Sequence, residues 1–203
     1  MADAQALLKT LFRVSVPQLV IGIVMGLVSL LFYFLGYYIS VGGGLILDPG
    51  EIPVTLAGAL GGPVAGIIAG ICQGAPYAPV RNLPSHILGG IFAGAWYYLA
   101  WTVSAGRSWP RFTRVAIWIA GIPIYYIVVI APVYMAIYAA NIQLPFLPMY
   151  QSFIGKIVPE IGLTLAASGV ILALLPTRYA RPFVLPDEPV PLAEPEADAE
   201  PED

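Results

Sequence analysis

The sequence predicts an all-α integral membrane protein with six helical elements: four full spans plus a short Gly-Pro helical hairpin at 52–76. Three observations predict it. First, the 203 residues are 59% hydrophobic and only 10% charged, whereas a soluble domain averages about a quarter charged. Second, apolar runs recur along the whole chain, which excludes a secreted domain behind a single leader. Third, the Lys and Arg residues partition well across a bilayer only if one of those runs turns back on itself.

Four runs read as full spans: 16–38, 84–103, 115–140 and 153–175. Each is long enough for about 30 Å of hydrocarbon. Gly, Pro and charge mark their breaks in "SVGGGLILDPGE", "SAGRSWPRFTR", "NIQLPFLPMYQS" and "PTRYARP". The fifth run, "IPVTLAGALGGPVAGIIAGICQG", carries no charge but has Gly61-Gly62-Pro63 at its centre. As one span with the N-terminus inside, it puts Lys9, Arg13 and Arg81 in the cytoplasm. Arg107, Arg111, Arg114, Arg178 and Arg181 then face outside, against the positive-inside rule. A reversal at Gly61, Gly62 and Pro63 brings Lys9, Arg13 and those five arginines to the inner side. Only Arg81 and Lys156 then stay outside, and both termini are cytoplasmic.

The hairpin arms are short, as is tolerated where protein or a cavity covers the backbone. Glycines at 58, 62, 66, 70 and 74 allow close backbone approach, and Gly22 with Gly26 and Gly90 with Gly94 offer similar faces. Residues 1–181 form the membrane domain. Eight of the twelve acidic residues lie at 187–203, so 182–203 reads as a disordered, solvated, cytoplasmic Pro/Ala-rich acidic tail. The basic residues are scattered, which argues against nucleic-acid binding.

With this topology the polar residues collect toward the outer face. Asp48 and Glu51 lie in the first outer loop. Gln73, Arg81 and Asn82 lie in the next, and His86 opens the fourth helix. Tyr134, Tyr138, Asn141 and Gln143 end the fifth, and Lys156 and Glu160 fall in the first turns of the sixth. An acid about two turns into a span is expensive and is a functional candidate by default, which singles out Glu160. Lys156 stands four residues before it, where the two side chains can neutralise one another or Lys156 can snorkel to the interface. His86, the only histidine, fits packing as well as ligand contact. Tyr134 and Tyr138 share a helical face suited to stacking on an aromatic ligand or to facing lipid. The single cysteine, Cys72, excludes a disulfide framework. No His/Cys/carboxylate cluster has metal spacing, and no nucleophile elbow, phosphate loop or dinucleotide fingerprint appears. The expectation is a non-enzyme with no cofactor, no metal and no catalytic residue.

The stretch "GEIPVTLAGALGGPVAGIIAGICQG", followed by "LPSHILGGIFAGAWYYLAW", resembles the substrate-binding S components of energy-coupling factor (ECF) transporters over residues 10–180. The resemblance implies an S-component-like bundle in the cytoplasmic (inner) membrane of a prokaryote. It implies a binding subunit for a vitamin-like small molecule, partnered by a membrane coupling subunit and ATPase subunits. By that analogy Glu160, Asn141, His86, Arg81, Tyr134, Tyr138 and Lys156 contact the ligand, and Gly22 and Gly26 dock on the coupling subunit. S components carry an alanine-based motif at this docking face, and here glycines stand in its place. The same stretch resembles the five-transmembrane sensor region of LytS-type histidine kinases, with Gly44 to Asp48 as "G-x-x-x-D" and Leu56 to Gly70 as the run that follows. That likeness implies a standalone membrane sensor module, although the Arg that such regions place two residues after the Asp is Gly50 here. A structural subunit of a membrane complex is the third expectation, with the Gly-rich faces as docking surfaces.

Overall fold

The computed structural model describes residues 2–36, 39–42, 45–76, 78–104 and 111–176. Tyr77, Arg107, Trp109, Arg178, Arg181 and the acidic tail lie outside the described residues. The described chain is helical apart from one short ribbon. Helix α1 (Ala2–Leu11) precedes α2 (Val16–Phe34). Strands β1 (Ile39–Gly42) and β2 (Leu45–Leu47) pair antiparallel. Then come α3 (Glu51–Gly74), α4 (Pro79–Ser104) and α5 (Arg111–Ile124). A π-helical segment, Tyr125–Ile130, joins α5 to α6 (Ala131–Ile142), and α7 (Phe146–Leu174) closes the bundle. Helix α1 and the ribbon are additions to the six elements read from hydropathy. Four stretches are long and apolar enough to cross a membrane: Val16–Phe34, Glu51–Gly74, Phe112–Ile142 and Phe146–Leu174; the expected span at 84–103, in α4, is less apolar and is not among them.

Length alone misrepresents the second of these. Gly62 has φ 77° and ψ −174°, a left-handed backbone that only glycine adopts without strain. Pro63 follows it, disfavours helix at the preceding residue, and is preorganised to start a new one. The consequence appears in the partners. In a straight helix Glu51 and Gly74 would lie roughly 34 Å apart at 1.5 Å per residue. Instead Gln73 Nε2 donates to Asp48 Oδ2 at 2.6 Å, and the Ser29 hydroxyl lies within hydrogen-bond reach of both the Gly50 carbonyl, at 2.9 Å, and Gln73 Oε1, sharing its one proton between them. The chain therefore runs down residues 51–61, reverses at Gly62, and returns along 63–74. Of the three expected turn residues, Gly62 alone leaves the helical conformation.

Each arm is about 16–18 Å long, half a bilayer core. Protein encloses both: 78% of the apolar stretch of α3 is buried, against 22% of that of α2. Glycine makes this enclosure possible. A Cβ on Gly66 would overlap the Gly90 backbone, one on Gly94 would overlap Pro63, and one on Gly58 would reach 2.9 Å from the Gly90 carbonyl. Helix α4 thus lies against both arms, backbone on backbone, in the small-residue mode of membrane helices. Gly22 and Gly26 of α2 pack on the other side of the return arm, against Ala65 and Cys72. This corrects their expected role: they are buried in an internal contact and leave no surface there for a partner.

The second half packs by large side chains. Tyr97, Trp101, Trp118, Tyr125 and Tyr126 are buried in one cluster with Leu56, Ile122 and Leu172. Tyr97, Trp101 and Trp118 are therefore core residues. Helix α4 begins five residues earlier, and α7 seven residues earlier, than the hydropathy runs that predicted them. Lys156 and Glu160 consequently sit in the third and fourth turns of α7, deeper than expected.

Candidate functional site

The reversal of α3 brings its first residue back beside its last, and this builds the site. Asp48, Pro49 and Gly50 turn the chain into the first arm, with the Gly50 N–H donating to Asp48 Oδ1 at 2.8 Å in an Asx-type turn. Glu51 then enters a fully enclosed position, 2% exposed. Its two oxygens are engaged separately: Oε1 lies 2.8 Å from His86 Nδ1, and Oε2 accepts from the Tyr125 hydroxyl at 2.6 Å. A buried carboxylate costs several kcal/mol unless paired and hydrogen-bonded, and here it is both.

Tyr125 reaches Glu51 because the helix is locally rewound. Pro123 and Pro132 each lack an N–H donor, and the π-helical turns lie between them. Rewinding turns both Tyr125 and Tyr126 inward. Tyr126 shares a hydrogen bond with Thr164 of α7 at 2.8 Å, tying the two helices together.

Above Glu51 lies a cavity of about 310 Å³. Asp48, Glu51, Gln73, His86, Lys156 and Glu160 line its polar surface, and Tyr33, Tyr126, Tyr134 and Phe153 form its aromatic walls. A second, more open cavity of about 500 Å³ is bordered by Arg81, Tyr134, Tyr138, Phe153 and Lys156. Tyr134, Phe153 and Lys156 line both, so the two are an outer and an inner chamber of one recess. The Arg81 guanidinium stacks over Tyr134 at 5.1 Å and Tyr138 at 4.8 Å, and Tyr134 stacks on Phe153 at 5.3 Å.

Six of the seven expected contact residues therefore border this recess. Glu160, His86, Tyr134 and Lys156 line the inner chamber, and Arg81, Tyr134, Tyr138 and Lys156 the outer one. Asn141 lines neither and is exposed in the last turn of α6. Lys156 and Glu160, although spaced to neutralise one another, are not joined by an ion pair. Asp48, Glu51 and Gln73 are additions to the predicted contact set. Tyr125 and Tyr126 had no signal beyond the prolines that frame them.

Asp48 lies in the turn before α3, outside the apolar spans. Burial, reinforced by the nearby Glu51 charge, raises its carboxyl to about 6. Among the described residues no group of His, Cys, Asp and Glu side chains is arranged to hold a metal ion. The recess combines aromatic walls with a few convergent polar groups. The chain matches no family model, no curated protein and no solved structure.

Proposed function

We propose that the chain is a membrane-embedded binding subunit for a vitamin-like small molecule, working with an ATP-driven import complex of the ECF kind. The single observation that carries this reading is the recess itself, with the Glu51–His86 pair at its inner end and Arg81 at its outer end. All of its lining residues lie toward the end of the bundle where α2 ends and α3 begins and ends. The opposite end carries the Gly62 reversal together with Arg13 and Arg114. Under the positive-inside rule that opposite end is cytoplasmic, both termini with it, and the recess opens outward in a prokaryotic inner membrane. Ligand enters from outside, and a coupling subunit driven by ATPase subunits reorients the loaded protein. The chain itself performs no chemistry in this scheme.

A second reading is a standalone sensor module of the LytS type, favoured by the Asp48 turn leading directly into the Gly-Pro reversal, the stretch on which that resemblance rests. In that case ligand occupancy is passed to a separate signalling partner.

Two measurements on the full chain separate these readings. Purification from its membrane with associated proteins brings down ATPases and a coupling protein under the first reading, and a kinase or cyclase under the second. Mass spectrometry of small molecules released from the same preparation identifies the ligand. Glu160→Ala is expected to weaken that ligand at least tenfold while leaving the protein folded. Unchanged affinity in a folded variant removes Glu160 from the site.

A further inference from the structure

The two chambers present different sets of ionisable groups. Among the described residues, the outer chamber presents the Arg81 guanidinium and the Lys156 ammonium and no carboxylate. The inner chamber presents three carboxylates, Asp48, Glu51 and Glu160, against His86 and the same Lys156. Lys156 and Glu160 stand four residues apart on α7, a spacing at which opposite charges ordinarily close on one another, yet no ion pair joins them. Lys156 lines both chambers, whereas Glu160 lines only the inner one. Between them lies the aromatic wall of Tyr134 stacked on Phe153, which is common to both chambers.

We propose that the ligand is bipolar: a basic nitrogen enters the inner chamber toward Glu160, an acidic group stays in the outer chamber at Arg81 and Lys156, and a flat body lies along Tyr134 and Phe153. This inference rests on the binding-subunit reading and adds the charge class of the ligand to it. Glu51 is the least available of the three inner acids, since His86 and Tyr125 engage both of its oxygens. Asp48 is likewise held, by Gln73 and the Gly50 N–H. Glu160 is therefore the acid assigned to the incoming cation. A ligand with only an acidic group meets the inner carboxylates as like charges, in an enclosed site where that repulsion is poorly screened. A ligand with only a basic group gains nothing from the cationic side chains of the outer chamber.

Three probes on one carbon skeleton test this: 4-(aminomethyl)benzoate, benzylamine and benzoate. Each is added to the purified full chain, and the thermal midpoint is followed as a binding readout. The zwitterion is expected to raise the midpoint most, benzylamine less, and benzoate not at all. Glu160→Gln should weaken the zwitterion and benzylamine by about tenfold or more. Arg81→Gln, or Lys156→Gln if the first variant folds poorly, should reduce the zwitterion to the level of benzylamine. The proposal is overturned if benzoate stabilises as well as the zwitterion, or if both substitutions leave the zwitterion unchanged. The natural ligand released from the native preparation separates this inference from the reading beneath it. A released molecule with both charges supports the proposal. A neutral or purely anionic one overturns the charge assignment and leaves the binding reading standing. No released molecule together with no response to any probe counts against both.

Discussion

The two sides of α4 are packed by different means. Toward α3 it presents Gly90 and Gly94, and the helices meet backbone to backbone with no room between them. Toward the π-helical segment and α6 it is spaced by tyrosines and tryptophans, and near its start the recess opens. The contrast teaches how a short chain can hold a cavity. The glycine side is a rigid post that fixes where Glu51 and His86 meet. The aromatic side holds the remaining helices far enough away to leave space above that pair.

The sharpest way to test the glycine contact is to add the same volume there and at an open position elsewhere in the bundle. Gly90→Val drives a side chain into the Gly66 backbone and should destabilise the protein by roughly 3 kcal/mol or more, or prevent its accumulation. Gly155→Val in α7, where an added Cβ meets nothing within 4 Å, should cost less than about 1 kcal/mol. Denaturation of the two variants in the same detergent compares them directly. Equal losses would mean that close approach at Gly90 is not what organises the fold.

A smaller effect is expected at the junction of the two sides. Glu51→Gln weakens its tie to His86 and should destabilise by about 1–3 kcal/mol. A double-mutant cycle with His86→Ala should then return a coupling of at least about 0.5 kcal/mol. Independent, additive losses would show that the pair does not act as a unit.

The smallest effect is at Asp48. Its folded-state carboxyl, near 6, lies above its ordinary value of 3.8, so the folded protein takes up a proton before the unfolded chain does. Above about pH 6 the charged form detracts from stability. That loss is relieved as pH falls through 6 and is gone below the unfolded value. The Asp48 contribution to the midpoint of the unliganded protein should therefore rise from about pH 8 to about pH 5, and Asp48→Asn should flatten that component. A wild-type and an Asp48→Asn profile of the same slope would contradict it.

Much of this architecture was legible in the sequence, because charge placement and glycine spacing are local signals with global consequences. Counting arginines was enough to expect a reversal at Gly61, Gly62 and Pro63, and the backbone breaks at Gly62. The glycines at 58, 66, 90 and 94 announced close packing, although not which helices would meet. Gly22 and Gly26 show that limit, since a small-residue face looks the same whether it serves an internal neighbour or a partner. Glu160 was visible as an acid deep in an apolar run. Glu51 was not singled out, because before folding it reads as a loop acid beside Asp48. Its burial depends on the arm that Gly62 folds back and on Tyr125 being turned inward between two prolines. Asn141 stands exposed in the last turn of α6 and borders neither chamber, because the polar pattern marks the end of a helix but not its face.

The site exists only if α3 is two arms rather than one rod. Spin labels on Leu47→Cys and Ala75→Cys in a Cys72→Ala background, measured by pulsed electron resonance in the full chain, test this directly. A reversed α3 puts the labels within about 25 Å of one another, since Asp48 and Gln73 share a hydrogen bond. A single helix through Gly62 would place those positions about 40 Å apart at 1.5 Å per residue, and that distance would contradict the account.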